Sequence, residues 1–185
     1  MKRVGVLALQ GDFDAHAKAV ERAGAAAVLV RSAADLEGLD GLIIPGGEST
    51  TMLKLLEQEK MVEPLRQFGE KRPVYGTCAG AILLAREVTQ PAQPSLNMMD
   101  IAVQRNAYGR QIDSRIAKVP VNDGGEFEAV FIRAPIIRKV GEDANVLASY
   151  QGDPVWVEQG RHMVTTFHPE LTDDPRIHRR FVESL

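Results

Sequence analysis

Short apolar runs alternate with helix-patterned segments over the first half of the chain, and that alternation leaves few folds open. Val4 to Leu9 is apolar without interruption and then meets Gln10-Gly11-Asp12, as a strand buried on both faces does. From Asp14 to Ala23, Ala17, Val20 and Ala23 share one helical face, and Gly24 falls where a helix C-cap belongs. Ala27–Val30 and Leu42–Ile44 read as a second and a third strand, the latter stopped by Pro45-Gly46-Gly47. A helix is expected from about Ser49 to Gln58, with Ser49 or Thr50 as its cap, and another over Val62–Gly69. Pro73-Val74-Tyr75 leads a fourth strand into Gly76-Thr77-Cys78-Ala79-Gly80, after which Ala81–Glu87 reads as helix. Strands and helices in this order predict an α/β fold: a mostly parallel central sheet with helices on both faces.

Beyond Glu87 the pattern changes. Thr89–Ser95, rich in Pro and Gln, reads as a loop. Strand-like pieces follow at Ile101–Val103, Ile116–Val121, Ala129–Ile132, Val146–Ser149, Val155–Val157 and Met163–Phe167. Turn signals such as Asn122-Asp123-Gly124-Gly125 join several of them, so they read as antiparallel additions to the sheet. Asp174-Pro175 opens a last helix with Pro at its first position and Ile177 and Phe181 on one face. At 185 residues, with no linker or repeat, one domain over 1–185 is expected.

The net charge of −3 is spread over mixed signs, which argues against a nucleic-acid surface. The apolar start lacks a small-residue cleavage site and reads as a strand, not a signal peptide. A single cysteine cannot form an internal disulfide, so a reducing cytoplasm is the expected compartment.

That cysteine, Cys78, lies between glycines at a strand–helix junction. A nucleophile there stands on a tight turn at the carboxyl edge of the sheet. The following helix turns its free N–H groups and positive dipole end toward the sulfur, which favours the reactive thiolate. The N–H of Ala79 is placed to bind an oxyanion. A buried structural cysteine is the plain alternative, since free Cys is among the most buried residue types. The G-x-C-x-G frame at such a junction tips the choice to a nucleophile.

A thiol nucleophile needs a base, usually a distant histidine. His16 and His178 fall within predicted helices and read as solvated or partly buried, and His162 reads as a surface turn residue. His168 ends a strand-like run and precedes Pro169-Glu170, so Glu170 can accept its second N–H. Pro45-Gly46-Gly47-Glu48-Ser49 ends a parallel strand and therefore shares a rim with Cys78. It can supply a second oxyanion donor. A phosphate cradle is the competing reading, weakened because the Lys of a P-loop is missing.

Together, Pro45-Gly46-Gly47, Gly76-Thr77-Cys78-Ala79-Gly80 and His168-Pro169-Glu170 resemble the class I (triad) glutamine amidotransferases, whose fold is a flavodoxin-like three-layer sandwich. More specific blocks resemble one branch, the glutaminase subunit of pyridoxal phosphate synthase. They are Gly5–Gly11, Pro45–Met52, Gly76–Ala81, Arg105-Asn106 with Tyr108–Gln111, Phe131–Pro135 and Phe167–Thr172. The resemblance implies that Cys78 attacks the side-chain amide of glutamine, that His168 serves as acid and base, and that Glu170 orients it. It implies Gly47 and Ala79 as the oxyanion hole. Gly47, Glu48, Ser49, Arg105, Ile132 and Arg133 are then the residues that hold L-glutamine. Arg105 suits the carboxylate of a free amino acid. No cofactor or metal is called for. The implied partner is a synthase subunit that receives the ammonia to make pyridoxal 5′-phosphate and that activates this chain by completing the oxyanion hole in the Gly46-Gly47 loop. The alternatives are a glutaminase serving another synthase, such as imidazole glycerol phosphate synthase, a cysteine peptidase, glyoxalase or redox sensor of like fold, and a non-catalytic interaction module.

Overall fold

The computed structural model describes residues 1–105 and 114–185. Its order begins β1 (Arg3–Leu7), α1 (Phe13–Arg22), β2 (Ala26–Val30), β3 (Gly41–Ile44), α2 (Ser49–Gln58), α3 (Val62–Lys71), β4 (Val74–Thr77) and α4 (Ala79–Leu84). Then come β5 (Ala85–Thr89), β6 (Met99–Gln104), β7 (Arg115–Pro120), β8 (Glu126–Phe131), β9 (Ile136–Val140), β10 (Ala144–Tyr150), β11 (Asp153–Gln159), β12 (His162–Thr165) and α5 (Arg176–Glu183).

Among the described residues the central sheet runs β10-β11-β12-β4-β3-β1-β2. From β2 to β12 every neighbouring pair is parallel, and β11 and β10 continue the edge antiparallel. Successive residues of the inner strands serve opposite faces, as the pleat requires. Leu42 and Ile44 of β3 pack with α2, α3 and α4, whereas Ile43 packs with α1 and α5. Val74 and Tyr75 of β4 divide the same way. The result is three layers, with the β7–β8 hairpin closing over the α1–α5 face and the small sheet β5-β6-β9 over the other.

Several expectations for the second half are corrected. β12 is not an antiparallel addition but a parallel inner strand beside β4. β5, β6 and β9 form a sheet of their own, as do β7 and β8. The helix expected over Ala81–Glu87 ends at Leu84, and Ala85–Thr89 is strand. The chain returning at Leu96 and Met98 donates to the carbonyls of Leu83 and Leu84, which satisfies the helix end and lets β5 peel away. β9 is not legible in the sequence because exposed Arg138 and Lys139 interrupt its apolar pattern. The cap of α2 is neither Ser49 nor Thr50 but Glu48. Pro175 stands one residue before α5 and not at its first position.

Candidate active site

β4 ends at Thr77 and α4 begins at Ala79, so Cys78 alone makes the turn. Its backbone is at φ 52 and ψ −106, a conformation a non-glycine residue takes only under constraint. The constraint is visible: its N–H donates to Thr165 O at 2.9 Å, and its carbonyl accepts from Ile82 N at 3.2 Å. The flanking glycines allow the tight approach. A Cβ on Gly76 would meet the Gly80 carbonyl, and one on Gly80 would meet the Ile44 carbonyl of β3. Cys78 is 7% exposed, and its Sγ lies 4.0 Å from Ile132 O. The first N–H groups of α4, Ala79's among them, have no partner within the helix.

β12 brings the second group. Just past its end, His168 N donates to Val130 O at 2.8 Å, which fixes the backbone. The next three residues, Pro169–Leu171, form one 3₁₀ turn that folds Glu170 back under the ring. His168 Nδ1 is 2.9 Å from Glu170 Oε2, and the carboxylate side chain is fully buried. Gly46 packs between the imidazole and the cysteine: a Cβ there would lie 2.7 Å from His168 Cε1 and 3.3 Å from Cys78 Cβ. Burial pulls the imidazole toward lower pKa, but Cys78 and Glu170, by hydrogen bond and charge, push it up to about 10. Burial raises the Glu170 carboxyl, yet His16 and then His168 hold it well below the usual carboxylate range.

The glycine loop is latched from the end of β1. Gln10 Oε1 accepts the Glu48 N–H at 3.0 Å, and Gly11, at φ 88, has its Cα against the Gly46 carbonyl. Gly47 is at φ 146, open to glycine alone in practice. A cleft of about 300 Å³ lies over these groups, lined by Gly46, Gly47, Cys78, Ile132, Arg133 and His168 among others.

Of the residues expected at the site, Gly47, Cys78, Ile132, Arg133 and His168 share the cleft with Glu170, whereas Ala79, Glu48, Ser49 and Arg105 do not line it. The Glu48 carboxylate caps α2, accepting from Thr50 N at 3.2 Å and Thr51 N at 2.6 Å. Burial raises its pKa, but the Thr51 and Thr50 donors more than reverse that. Arg105 donates to Thr50 Oγ1 at 2.7 Å and lies 3.4 Å from Glu48 Oε1, while Ser49 Oγ donates to Gln93. Asn106 and the Tyr108–Gln111 block fall outside the described residues.

The histidine readings need correction. His162 is not a surface residue; it is 9% exposed, and its Nδ1 accepts from Val74 N at 3.1 Å. His16 and His178 are fully buried and meet at 2.9 Å behind Glu170. Their positions carried a signal. His16 shares a helical face with buried Ala19 and Val20, and His178 one with Phe181.

Residues 6–185 match the model of the SNO glutamine amidotransferase family. The chain is 60% identical over 192 residues to the pyridoxal 5′-phosphate synthase subunit PdxT of Solibacter usitatus, covering all of both. It is 51% identical over 183 residues to the subunit of the same name from Thermus thermophilus, covering 97% of this chain and 96% of the relative. A crystal structure described as a glutamine amidotransferase superposes with a TM-score of 0.92 at 48% identity, over 98% of this chain and 97% of the other. A structure of PurLQS from Thermotoga maritima, at 18% identity and a TM-score of 0.76, covers 99% of this chain and 96% of its own, and shares the fold. The chain belongs to the SNO glutamine amidotransferase family.

Proposed function

We propose that the chain is the glutaminase subunit of a pyridoxal 5′-phosphate synthase, acting in the cytoplasm as one domain over residues 1–185. The observation that carries this reading is the line Glu170–His168–Cys78, packed on Gly46 at the mouth of a cleft. Family membership and the names of the full-length relatives supply the substrate and the partner. A lone cysteine and no helix, among the described residues, long and apolar enough to cross a membrane fit that compartment.

In this reading the Cys78 sulfur attacks the side-chain amide carbon of L-glutamine. The N–H groups of Gly47 and Ala79 hold the tetrahedral oxyanion; one such donor is worth roughly 3 kcal/mol. An imidazole pushed up to about 10 keeps its proton until the C–N bond breaks, and His168 gives that proton to the departing ammonia. It then takes a proton from the water that cleaves the glutamyl thioester, releasing glutamate. Glu170 keeps the His168 ring aligned throughout. Arg133, at the cleft, and Arg105, held beside the loop by Thr50 and Glu48, are the counter-charges for the carboxylate of glutamine. Ser49, Glu48 and Ile132 complete the substrate contacts. The synthase subunit docks on this side, settles the Gly46-Gly47 loop and receives the ammonia.

The nitrogen source tests the reading. With glutamine, the synthase subunit should form pyridoxal phosphate only when this chain is added. With an ammonium salt it should do so alone. A synthase that uses glutamine unaided, or gains nothing from the chain, would contradict the reading.

A further inference from the structure

Two buried imidazoles lie behind His168, and the mechanism above uses neither. His16 comes from α1 and His178 from α5; they are 0% and 1% exposed. His16 Nδ1 meets His178 Nε2 at 2.9 Å. The other nitrogen of His16, Nε2, is 3.4 Å from Glu170 Oε2 and 3.1 Å from Thr77 Oγ1, on the residue before the nucleophile. The same Oε2 takes His168 Nδ1 at 2.9 Å, while Oε1 is buried without a partner among the described residues. The carboxylate is therefore held through one oxygen, between two imidazoles.

The chemistry of the atoms restricts what this can be. A carboxylate oxygen only accepts, so each imidazole must offer it an N–H. The tautomer with its proton on His16 Nε2 meets that demand at 3.4 Å and also serves Thr77 Oγ1 at 3.1 Å. His16 Nδ1 and His178 Nε2 then share one proton between them. His178 cannot take up another cheaply, because burial and His16 hold it down to about 3. A buried carboxylate left with a single donor is unfavourable, and at full burial no solvent stands ready to replace His16.

We infer that His16 is a positioning residue of the triad: its Nε2–H keeps the Glu170 carboxylate ionised and fixed against His168, and His178 fixes the orientation of the His16 ring. The groups facing Glu170 are His168 on its own turn, His16 from α1, His178 from α5 and Tyr75 from β4. Asp12, Cys78 and Arg133 share the cleft with Glu170. Burial, reinforced by Glu170, keeps Tyr75 a neutral phenol, and Arg22 acts on His178. Of the lowering influences on Glu170, that of His16 comes ahead of that of His168. Removing His16 thus lets the carboxyl reprotonate at higher pH, and the triad fails earlier on acidification.

The kinetic part of the test rests on the glutaminase reading; the second part does not. In the complex with the synthase subunit, His16→Leu should lower kcat about tenfold with KM within about twofold, and move the acid limb of the pH profile up by about one unit. His16→Gln, whose amide N–H reaches the place of Nε2, should recover most of both. If His16→Leu does not fold, His16→Asn replaces it, because its shorter amide reaches His178 but not Glu170. Independently, alkylation of Cys78 by iodoacetamide in the lone chain should show the same acid-side shift. A wild-type complex inert to glutamine would remove the glutaminase reading and leave the alkylation arm to decide. Folded His16→Leu with a wild-type acid limb in alkylation would overturn the inference. So would a His16→Gln variant as impaired as His16→Leu.

Discussion

His162 and His168 are histidines on the same strand–loop segment, and their surroundings drive them in opposite directions. His168 faces a thiol and a carboxylate that outweigh its burial, whereas His162 faces burial and Arg161, which together pull it down to about 4. Its Nδ1 must stay bare to accept from Val74 N. A histidine with a lowered folded pKa charges more readily in the unfolded chain. Its contribution is therefore complete above pH 6.5 and is lost as pH falls toward about 4. His162→Asn keeps an acceptor near Nδ1 without a titrating ring. Denaturant melts at both ends of this window should show the wild type losing on the order of 2 kcal/mol more than the variant. Equal losses would mean that His162 takes up its proton at the same pH in the fold as in the unfolded chain. The sequence placed His168, because Glu170 two residues on announced its partner. It could not place His162 or the His16–His178 pair, whose partners lie 88 and 162 residues away.

Glycines at the turns separate two kinds of constraint. Gly24 follows α1 at φ 93 with open space around its Cα, so Gly24→Ala should cost only the left-handed backbone strain, about 1 kcal/mol. Gly80 sits in the elbow against the Ile44 backbone carbonyl, which cannot swing aside as a side chain can. Gly80→Ala should cost roughly 3 kcal/mol and abolish glutamate release, while Gly24→Ala retains it. Chemical denaturation with a parallel glutaminase assay checks the pair; comparable effects at both sites would contradict the close-approach account. β1 to β4, α1 to α3 and α5 are legible in the sequence from their uniform or periodic burial, and β6, β7, β8, β10, β11 and β12 are legible as strands, though not in their pairing. The switch from α4 to β5 was hidden because Leu84 and Ala85 continue one apolar run across it. The parallel pairing of β12 with β4 depends on topology, which a local pattern does not carry.

The assembled molecule concentrates its chemistry where β1, β3, β4 and β12 end side by side. β1 leads to Gln10 and Gly11, β3 to the glycine loop, β4 to Cys78, the proposed nucleophile, and β12 to His168, the proposed base. Each strand end is short of function by itself, and the parallel order of the sheet brings them around one cleft. Ile132 and Leu171 stay partly exposed beside the cleft, on the side where the proposed synthase docks. The measurement closest to the centre of this account is glutamate formation from glutamine by the complex with the synthase subunit, wild type against Cys78→Ala. The account predicts no glutamate above background from Cys78→Ala, with pyridoxal phosphate formation from an ammonium salt unchanged. Glutamate release by that variant above roughly 1% of the wild-type rate would contradict it.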